Sequence, residues 1–177
     1  VCSSDLDRKR WLGGYNRRNY LDTSNTHVSL TDFVNRELIH FSKYDCDRSI
    51  PNLMDGLKTS QRKILYSGFK RKLYSKSNEI KVAQFSGYVS ETSCYHHGEM
   101  SLNQAIVGMA HTFVGSNNLP LFYPSGQFGT RLRGGKDSAS ERYIFTRLQG
   151  ITPYIFPSDD FPVLTYLDDD EIGRAHV

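Results

Sequence analysis

Two apolar stripes at helical spacing constrain this sequence more than any other feature. Val82, Phe85 and Val89 stand three and four residues apart, and Leu102, Ile106, Met109 and Phe113 repeat that spacing. Each set falls on one face of a helix with a period of 3.6 residues. Between them lies Cys-Tyr-His-His-Gly-Glu, from Cys94 to Glu99, a short polar break with a glycine. Two short helices joined in this way make a helix-turn-helix, although ordinary αα-hairpins share the pattern.

The flanks extend the reading. Lys58 to Lys72 predicts a helix with Ile64, Leu65 and Phe69 on one side and Lys58 and Arg62, four apart, on another. Ser29 to Ser42 predicts another, with Thr31 as its N-cap and Phe33, Leu38 and Phe41 as a rough apolar stripe. Arg48 to Lys58 reads as extended, punctuated by Pro51 and Gly56. Gly115 to Ser140 is rich in Gly, Asn and Ser with short apolar pieces. That composition suits loops and small strands, such as the wing of a winged helix. Arg142 to Thr146, Arg-Tyr-Ile-Phe-Thr, predicts a strand. The fold class expected is α+β, mostly helical, with a winged-helix (helix-turn-helix) domain.

Charge points to a class of partner. The chain as a whole carries only +3. Between Lys58 and Lys81, however, eight basic residues face one acid, Glu79. Such a cluster suits a polyanion, or else forms a solvated helix face. No apolar run approaches the ~20 residues that a membrane span needs, so no membrane partner is expected. The first ten residues show no secretory pattern. Cys2, Cys46 and Cys94 form no CxxC pair and no even framework, which fits a reducing compartment.

The two ends read as foreign. Val-Cys-Ser-Ser-Asp-Leu at the start and Glu-Ile-Gly-Arg-Ala-His near the end can be written in codons that are reverse complements of each other. Inverted identical ends are what a sequencing adapter leaves around an insert. Residues 1–6 and 171–177 are therefore expected to be adapter-derived and are set aside from functional reasoning.

Several motifs fail on inspection. Gly129 to Lys136 approaches a phosphate-binding loop, but Thr130 stands where the leading Gly is needed and Asp137 follows the Lys. His96 and His97 are adjacent, so their side chains diverge, and no Cys or His partner stands at zinc spacing. A turn histidine after a basic helix better suits a phosphate or the cap of the next helix. Asp168 to Asp170 reads as a solvated acidic turn rather than a magnesium site. No nucleophile-elbow motif occurs.

What remains is Arg142 beside Tyr143, after the small residues Asp137 to Ser140. Tyr followed by Ile-Phe is ordinarily a packing residue at the start of a strand. A Tyr phenolate can also attack phosphorus and form a covalent phosphotyrosyl intermediate. With a free pKa of about 10 it needs help. A neighbouring cation stabilises both the phenolate and the charge gathering on the attacked phosphate. If the pair lies in a strand, alternation puts the two side chains on opposite faces, and Arg142 must reach the phosphate from the side. Both readings of Tyr143 stay open on this chemistry alone.

Longer stretches settle a resemblance. Arg-Ser-Ile-Pro-Asn-Leu-Met-Asp-Gly-Leu-Lys from Arg48, Lys-Val-Ala-Gln-Phe-Ser-Gly-Tyr from Lys81, Tyr-His-His-Gly-Glu from Tyr95, Phe-Val-Gly-Ser-Asn-Asn from Phe113, Gly-Gln-Phe-Gly-Thr-Arg-Leu from Gly126 and Arg-Tyr-Ile-Phe-Thr from Arg142 follow in one order. Together they resemble the DNA-cleavage region of eukaryotic-type DNA topoisomerase II, a type IIA enzyme, over roughly residues 30–170. The bacterial relatives carry a different His-containing motif, so the resemblance is to the eukaryotic or large-DNA-virus branch.

The resemblance implies roles. Tyr143 would be the nucleophile, joined to the 5′ end of cut DNA, and Arg142 would hold the scissile phosphate. Arg48, Lys58, Arg62, His96 and His97 would contact double-stranded DNA. It implies ATP hydrolysis and Mg2+ in the complete enzyme, each bound by domains outside this stretch, a homodimer, and a nuclear location, with a viral source also compatible. It divides the chain into a connector at 7–30 from an upstream metal-binding domain, a winged-helix cleavage domain at 31–157 and the start of a downstream tower region at 158–170. Two departures stand out. Lys-Thr-Ser-Gln at Lys58 replaces the family's Lys-Pro-Gly-Gln, and Ala-Ser-Glu-Arg at Ala139 replaces Ala-Ser-Pro-Arg. The alternative in another class is a non-enzymatic winged-helix DNA-binding module in which Tyr143 only packs.

Overall fold

The first helix, α1 (Asp5–Gly13), begins where the Ser4 hydroxyl accepts the Asp7 amide, with Asp5 and Asp7 in the first turn. A capping oxygen satisfies one of the orphan amides there, and the acidic side chains suit the positive end of the helix. The computed structural model describes residues 4–22, 24, 26–168 and 174–176. The chain divides into two units between Lys58 and Thr59.

In the first unit, residues 5–13 are helical, a helix that the sequence reading did not expect. The cause is local capping, because α1 buries no residue and so shows no apolar period. The next helix is also capped differently from the expectation. Ser29, not Thr31, accepts the Asp32 amide, and its hydroxyl donates back to the Asp32 carboxylate at 2.7 Å. This reciprocal pair starts α2 (Leu30–Phe33). A single π turn, Val34–Leu38, carries it into α3 (Ile39–Ser49). The extra residue in that turn shifts the faces of the helix. Ile39 becomes the buried residue of α3, while Phe33, Leu38 and Phe41 are exposed. The chain ahead of these helices folds back onto His40, whose ring stacks on Tyr20 at 4.6 Å and whose Nε2 meets the Asn19 carbonyl at 3.0 Å.

The second unit holds the predicted helix-turn-helix and adds a sheet. Helix α4 (Thr59–Lys70) buries Ile64, Leu65, Ser67, Gly68 and Phe69. A two-residue strand, β1 (Ile80–Lys81), leads into α5 (Val82–Ser93), which buries Val82, Phe85 and Val89. Helix α6 (Glu99–Met109) buries Leu102, Ile106 and Met109. Each such side chain contributes about 1.5–3 kcal/mol through burial. Phe113, the last residue of the expected stripe, lies beyond the end of α6. Strands β2 (Phe122–Ser125) and β3 (Phe145–Leu148) complete an antiparallel sheet in the order β1-β3-β2.

The order helix, strand, helix, helix, strand, wing, strand, with the last strand in the middle of the sheet, is the winged helix that the composition predicted. Phe85 meets Phe122 at 5.6 Å between ring centres, joining helix to sheet. Gly68 lets α4 approach the same place, since a Cβ there would stand 3.2 Å from Leu148 and 3.3 Å from Phe122. A short helix, α7 (Thr152–Ile155), follows the sheet, tied to it by the Thr152 hydroxyl donating to the Leu121 carbonyl at 2.7 Å. Near the end, β4 (Tyr166–Asp168) pairs with β5 (Arg174–His176). Asp169 and Asp170 lie outside the described residues, so the expected acidic turn does too.

Candidate active site

Strand β3 begins at Phe145, so Tyr143 does not lie in a strand as the sequence suggested. It ends a turn in which its amide donates to the Ser140 carbonyl at 2.9 Å. The ladder cannot extend back to it. β1 offers only Ile80 and Lys81, which face Thr146 and Phe145. The carbonyls of Glu141 and Ile144 go elsewhere, accepting the Ala83 amide at 3.1 Å and the Val82 amide at 3.0 Å. Those amides belong to the first turn of α5, where a helix has no internal partners for them. No side chain caps that end, so the backbone of the tyrosine turn performs the capping.

This arrangement orients the side chains on the turn. Ile144 points inward and is 1% exposed. Gly126 backs it, with φ +122 and room for no side chain, because a Cβ would stand 2.9 Å from Ile144 Cγ2. Tyr143 points outward and is 77% exposed, and Arg142 beside it is exposed too. The turn anchors Ile144 in the core and leaves the Tyr143 ring exposed. Since the pair lies in a turn, the alternation of a strand does not force Arg142 to the face opposite Tyr143.

The other expected contacts fall in two groups. Arg62, His96 and His97 belong to the same unit as Arg142 and Tyr143. Arg62 is half-buried on α4, and His96 and His97 are exposed in the turn between α5 and α6. That turn has its own frame. Cys94 ends α5 in the left-handed region at φ 48, Gly98 precedes α6 at φ 88, and the Lys63 ammonium donates to the Cys94 carbonyl at 3.4 Å. Tyr95 and His97 meet edge to face at 5.5 Å. Helix α5 therefore runs from the tyrosine turn at one end to the histidine turn at the other. Its twelve residues span about 18 Å. Arg48 and Lys58 lie in the first unit and are exposed. Arg48 closes α3, bound to Asp45 at 2.8 Å and over the Tyr44 ring at 5.7 Å.

The only acid in the basic run is not available to neutralise it, because Glu79 pairs with Arg147. Among the described residues no three of His, Cys, Asp and Glu converge as a metal site requires, so these residues do not fit a magnesium ion. Among the described residues, no helix is long and apolar enough to cross a membrane. The sequence reading missed the α5 amides that hold the tyrosine turn. The available signal was the lack of a capping side chain before Val82. It also missed the lock between Thr130 and Asp137 at the base of the wing, where the Thr130 hydroxyl donates to the carboxylate at 2.7 Å.

Known proteins resemble the chain throughout. The family model for the A-type subunit of DNA gyrase/topoisomerase IV matches residues 48–173. That for the C-terminal associated domain of TOPRIM matches residues 3–46. A mitochondrial DNA topoisomerase 2 of Dictyostelium discoideum is 56% identical over 92% of this chain and 12% of the relative. DNA topoisomerase 2 of Arabidopsis thaliana is 57% identical over 92% of this chain and 11% of the relative. The chain thus spans about an eighth of the length of these relatives. Among solved structures, the DNA-binding, cleavage and re-ligation domain of Plasmodium falciparum topoisomerase II superposes with a TM-score of 0.83. It is 51% identical, over 97% of this chain and 23% of that one.

Proposed function

This chain belongs to the DNA gyrase/topoisomerase IV family, on its eukaryotic-type topoisomerase II branch, and we propose that it supplies the attacking tyrosine of an ATP-dependent type II DNA topoisomerase. The phenol oxygen of Tyr143 attacks a phosphorus of the DNA backbone. A bond forms from that oxygen to phosphorus as the bond to the 3′ oxygen breaks. The phenol proton is given up, and the departing 3′ oxygen takes one. The protein is left on the 5′ end beside a free 3′ hydroxyl. Reversal rejoins the strand. Two such cuts, one from each half of a homodimer, open a gate for a second duplex.

The observation that carries this reading is the 77% exposed Tyr143 ring on a turn fixed by its neighbours. A nucleophile must be accessible and held in one geometry. Arg142 supplies a planar cation beside it for the phosphate oxygens. The first turn of α5 adds a positive pole beneath the site, a contribution of about 0.3–1 kcal/mol towards negative charge at an exposed helix end. Arg48, Lys58, Arg62, His96 and His97 contact the backbone of double-stranded DNA. The length of α5, about 18 Å, corresponds to about five base pairs at about 3.4 Å each, so the tyrosine and histidine turns can reach one strand at separate phosphates. Mg2+ and ATP act from other parts of the complete enzyme, and no step here passes through them. The expected location is the nucleus.

The polarity of the link tests the proposal. DNA cleaved by the complete enzyme and trapped with denaturant should keep protein on its 5′ ends and leave 3′ hydroxyls that a polymerase extends. Protein on the 3′ ends would exclude this chemistry. A non-enzymatic winged-helix module would leave no covalent complex.

A further inference from the structure

Helix α6 ends against the wing, the segment between β2 and β3 that leads into the tyrosine turn. His111 follows that end, and its backbone is tied on both sides. Its amide donates to the Gly108 carbonyl at 3.3 Å, and its carbonyl accepts the Asn117 side-chain amide at 3.0 Å. The same Asn117 nitrogen donates to the Gly108 carbonyl at 2.7 Å. The His111 ring packs on Phe113, 4.8 Å between centres, and Ala110 before it is fully buried. His111 is therefore a fixed point at the end of the helix.

The ring meets Gly135. A Cβ on Gly135, whose φ is +80, would stand 2.4 Å from Cε1, 3.0 Å from Nε2 and 3.2 Å from Nδ1. Only a residue without a side chain fits there. Gly135 touches Gly129 as well, where a Cβ would stand 2.6 Å from the Gly135 backbone. The buried Nε2 of His111 has no hydrogen-bond partner among the described residues, so the ring holds Gly135 by contact alone.

From Gly135 the hold passes along the chain to Tyr143. The Gly135 amide donates to the Thr130 carbonyl at 2.9 Å, and the Thr130 amide to the Asp137 carboxylate at 2.8 Å. The wing tip, a 3-10 turn over Arg131–Arg133, lies inside this frame. Next the Ala139 amide donates to the Gln127 carbonyl at 2.9 Å, and the Tyr143 amide to the Ser140 carbonyl at 2.9 Å. No long unbonded stretch separates the glycine from the tyrosine. Helix α6 begins at the histidine turn, so the same ring also sets the spacing between that turn and the wing.

We propose that His111 is a positioning residue for strand cleavage: its ring, fixed at the end of α6, sets the place of Gly135 and, through the bonded run that follows, the place of Tyr143. This rests on the reading of Tyr143 as the nucleophile. A misplacement of about 1 Å at a reacting group costs on the order of a hundredfold in rate, so a partial shift should be measurable.

The test is a double-mutant cycle in the complete enzyme. The readouts are the rate of covalent complex formation at saturating duplex, corrected for the folded fraction, and duplex affinity. His111→Ala removes the support, and Gly135→Ala drives a methyl group into it. Each alone should slow complex formation about tenfold and change affinity by less than about twofold. Combined, the methyl group enters the space that the ring left, so the double variant should stay within about threefold of His111→Ala. Loss that multiplies to about a hundredfold would show that the two residues act separately and overturn the proposal. So would an unchanged rate in His111→Ala, or a fall matched by weaker binding. If the unsubstituted enzyme forms no complex through Tyr143, the nucleophile reading fails and this inference falls with it. If the complex forms and the cycle is additive, only this inference fails.

Discussion

The Val82 amide donates to the Ile144 carbonyl at 3.0 Å, so the first residue of α5 holds the residue next to Tyr143. Val82→Pro removes that donor with little backbone cost. Proline is favoured at the first helical position, and Lys81 before it already has φ −58 and ψ 138, which a residue preceding proline adopts readily. The variant should lose about 1 kcal/mol of stability. In the complete enzyme it should lower covalent complex at saturating DNA more than it lowers DNA affinity. Unfolding midpoints and trapped adduct measure the two effects. Full adduct yield would show that the α5 cap does not position the tyrosine.

Gly126→Ala tests the anchor from the other side. The new Cβ would meet Ile144 Cγ2 at 2.9 Å with the backbone at φ +122. Strain of this kind costs about 1–3 kcal/mol. A thermal melt should show the loss, and a melt like that of the unsubstituted chain would mean that the wing adjusts freely around Ile144.

Asp137 sets the pH range of the wing. Hydrogen bonds from the Thr130 amide and hydroxyl hold its carboxyl below its ordinary value of 3.8. A depressed carboxyl pKa means that the bound form is charged. Its contribution is fully present above the ordinary pKa and is lost as pH falls through the lowered one. The Thr130 amide should therefore stay protected from hydrogen exchange at neutral pH and lose protection in acid, below pH 3.8. Asp137→Asn should lose protection at neutral pH, and protection unaffected by either change would remove Asp137 from the lock.

Backbone contacts predict salt dependence. Lys58→Ala and Arg62→Ala should each lower the salt slope of duplex affinity by about one unit, with no preference among sequences. A slope that neither change moves would make both side chains solvated bystanders.

The helices of the second unit were legible because their apolar period is local: Val82, Phe85 and Val89 must share a face wherever the chain goes. Helix α1 was not, because it buries nothing. The Ser29 cap was obscured by Thr31, which offers the same oxygen two residues later, and only the reciprocal bond with Asp32 decides between them. The residue types around Tyr143 were legible and its setting was not. β-branched and aromatic residues predict a strand, but whether Tyr143 joins it depends on the length of β1, a distant partner. The same holds for the wing tip. Its glycines invited comparison with a phosphate loop, while their use is to let Gly129, Gly135 and His111 approach one another.

The central claim is that Tyr143 is the nucleophile, and Tyr143→Phe tests it most directly. Phe keeps the ring and removes the hydroxyl, so folding and DNA affinity should be nearly unchanged. Arg142→Lys makes a useful companion, since it keeps the charge, loses the planar fork and should reduce turnover more than binding. The measurement is the covalent protein–DNA complex trapped by denaturant from the complete enzyme, in the unsubstituted form and as Tyr143→Phe. The account predicts 5′-linked complex from the first and none from the second. A 5′-linked complex from Tyr143→Phe would contradict it and return Tyr143 to the role of an ordinary aromatic residue.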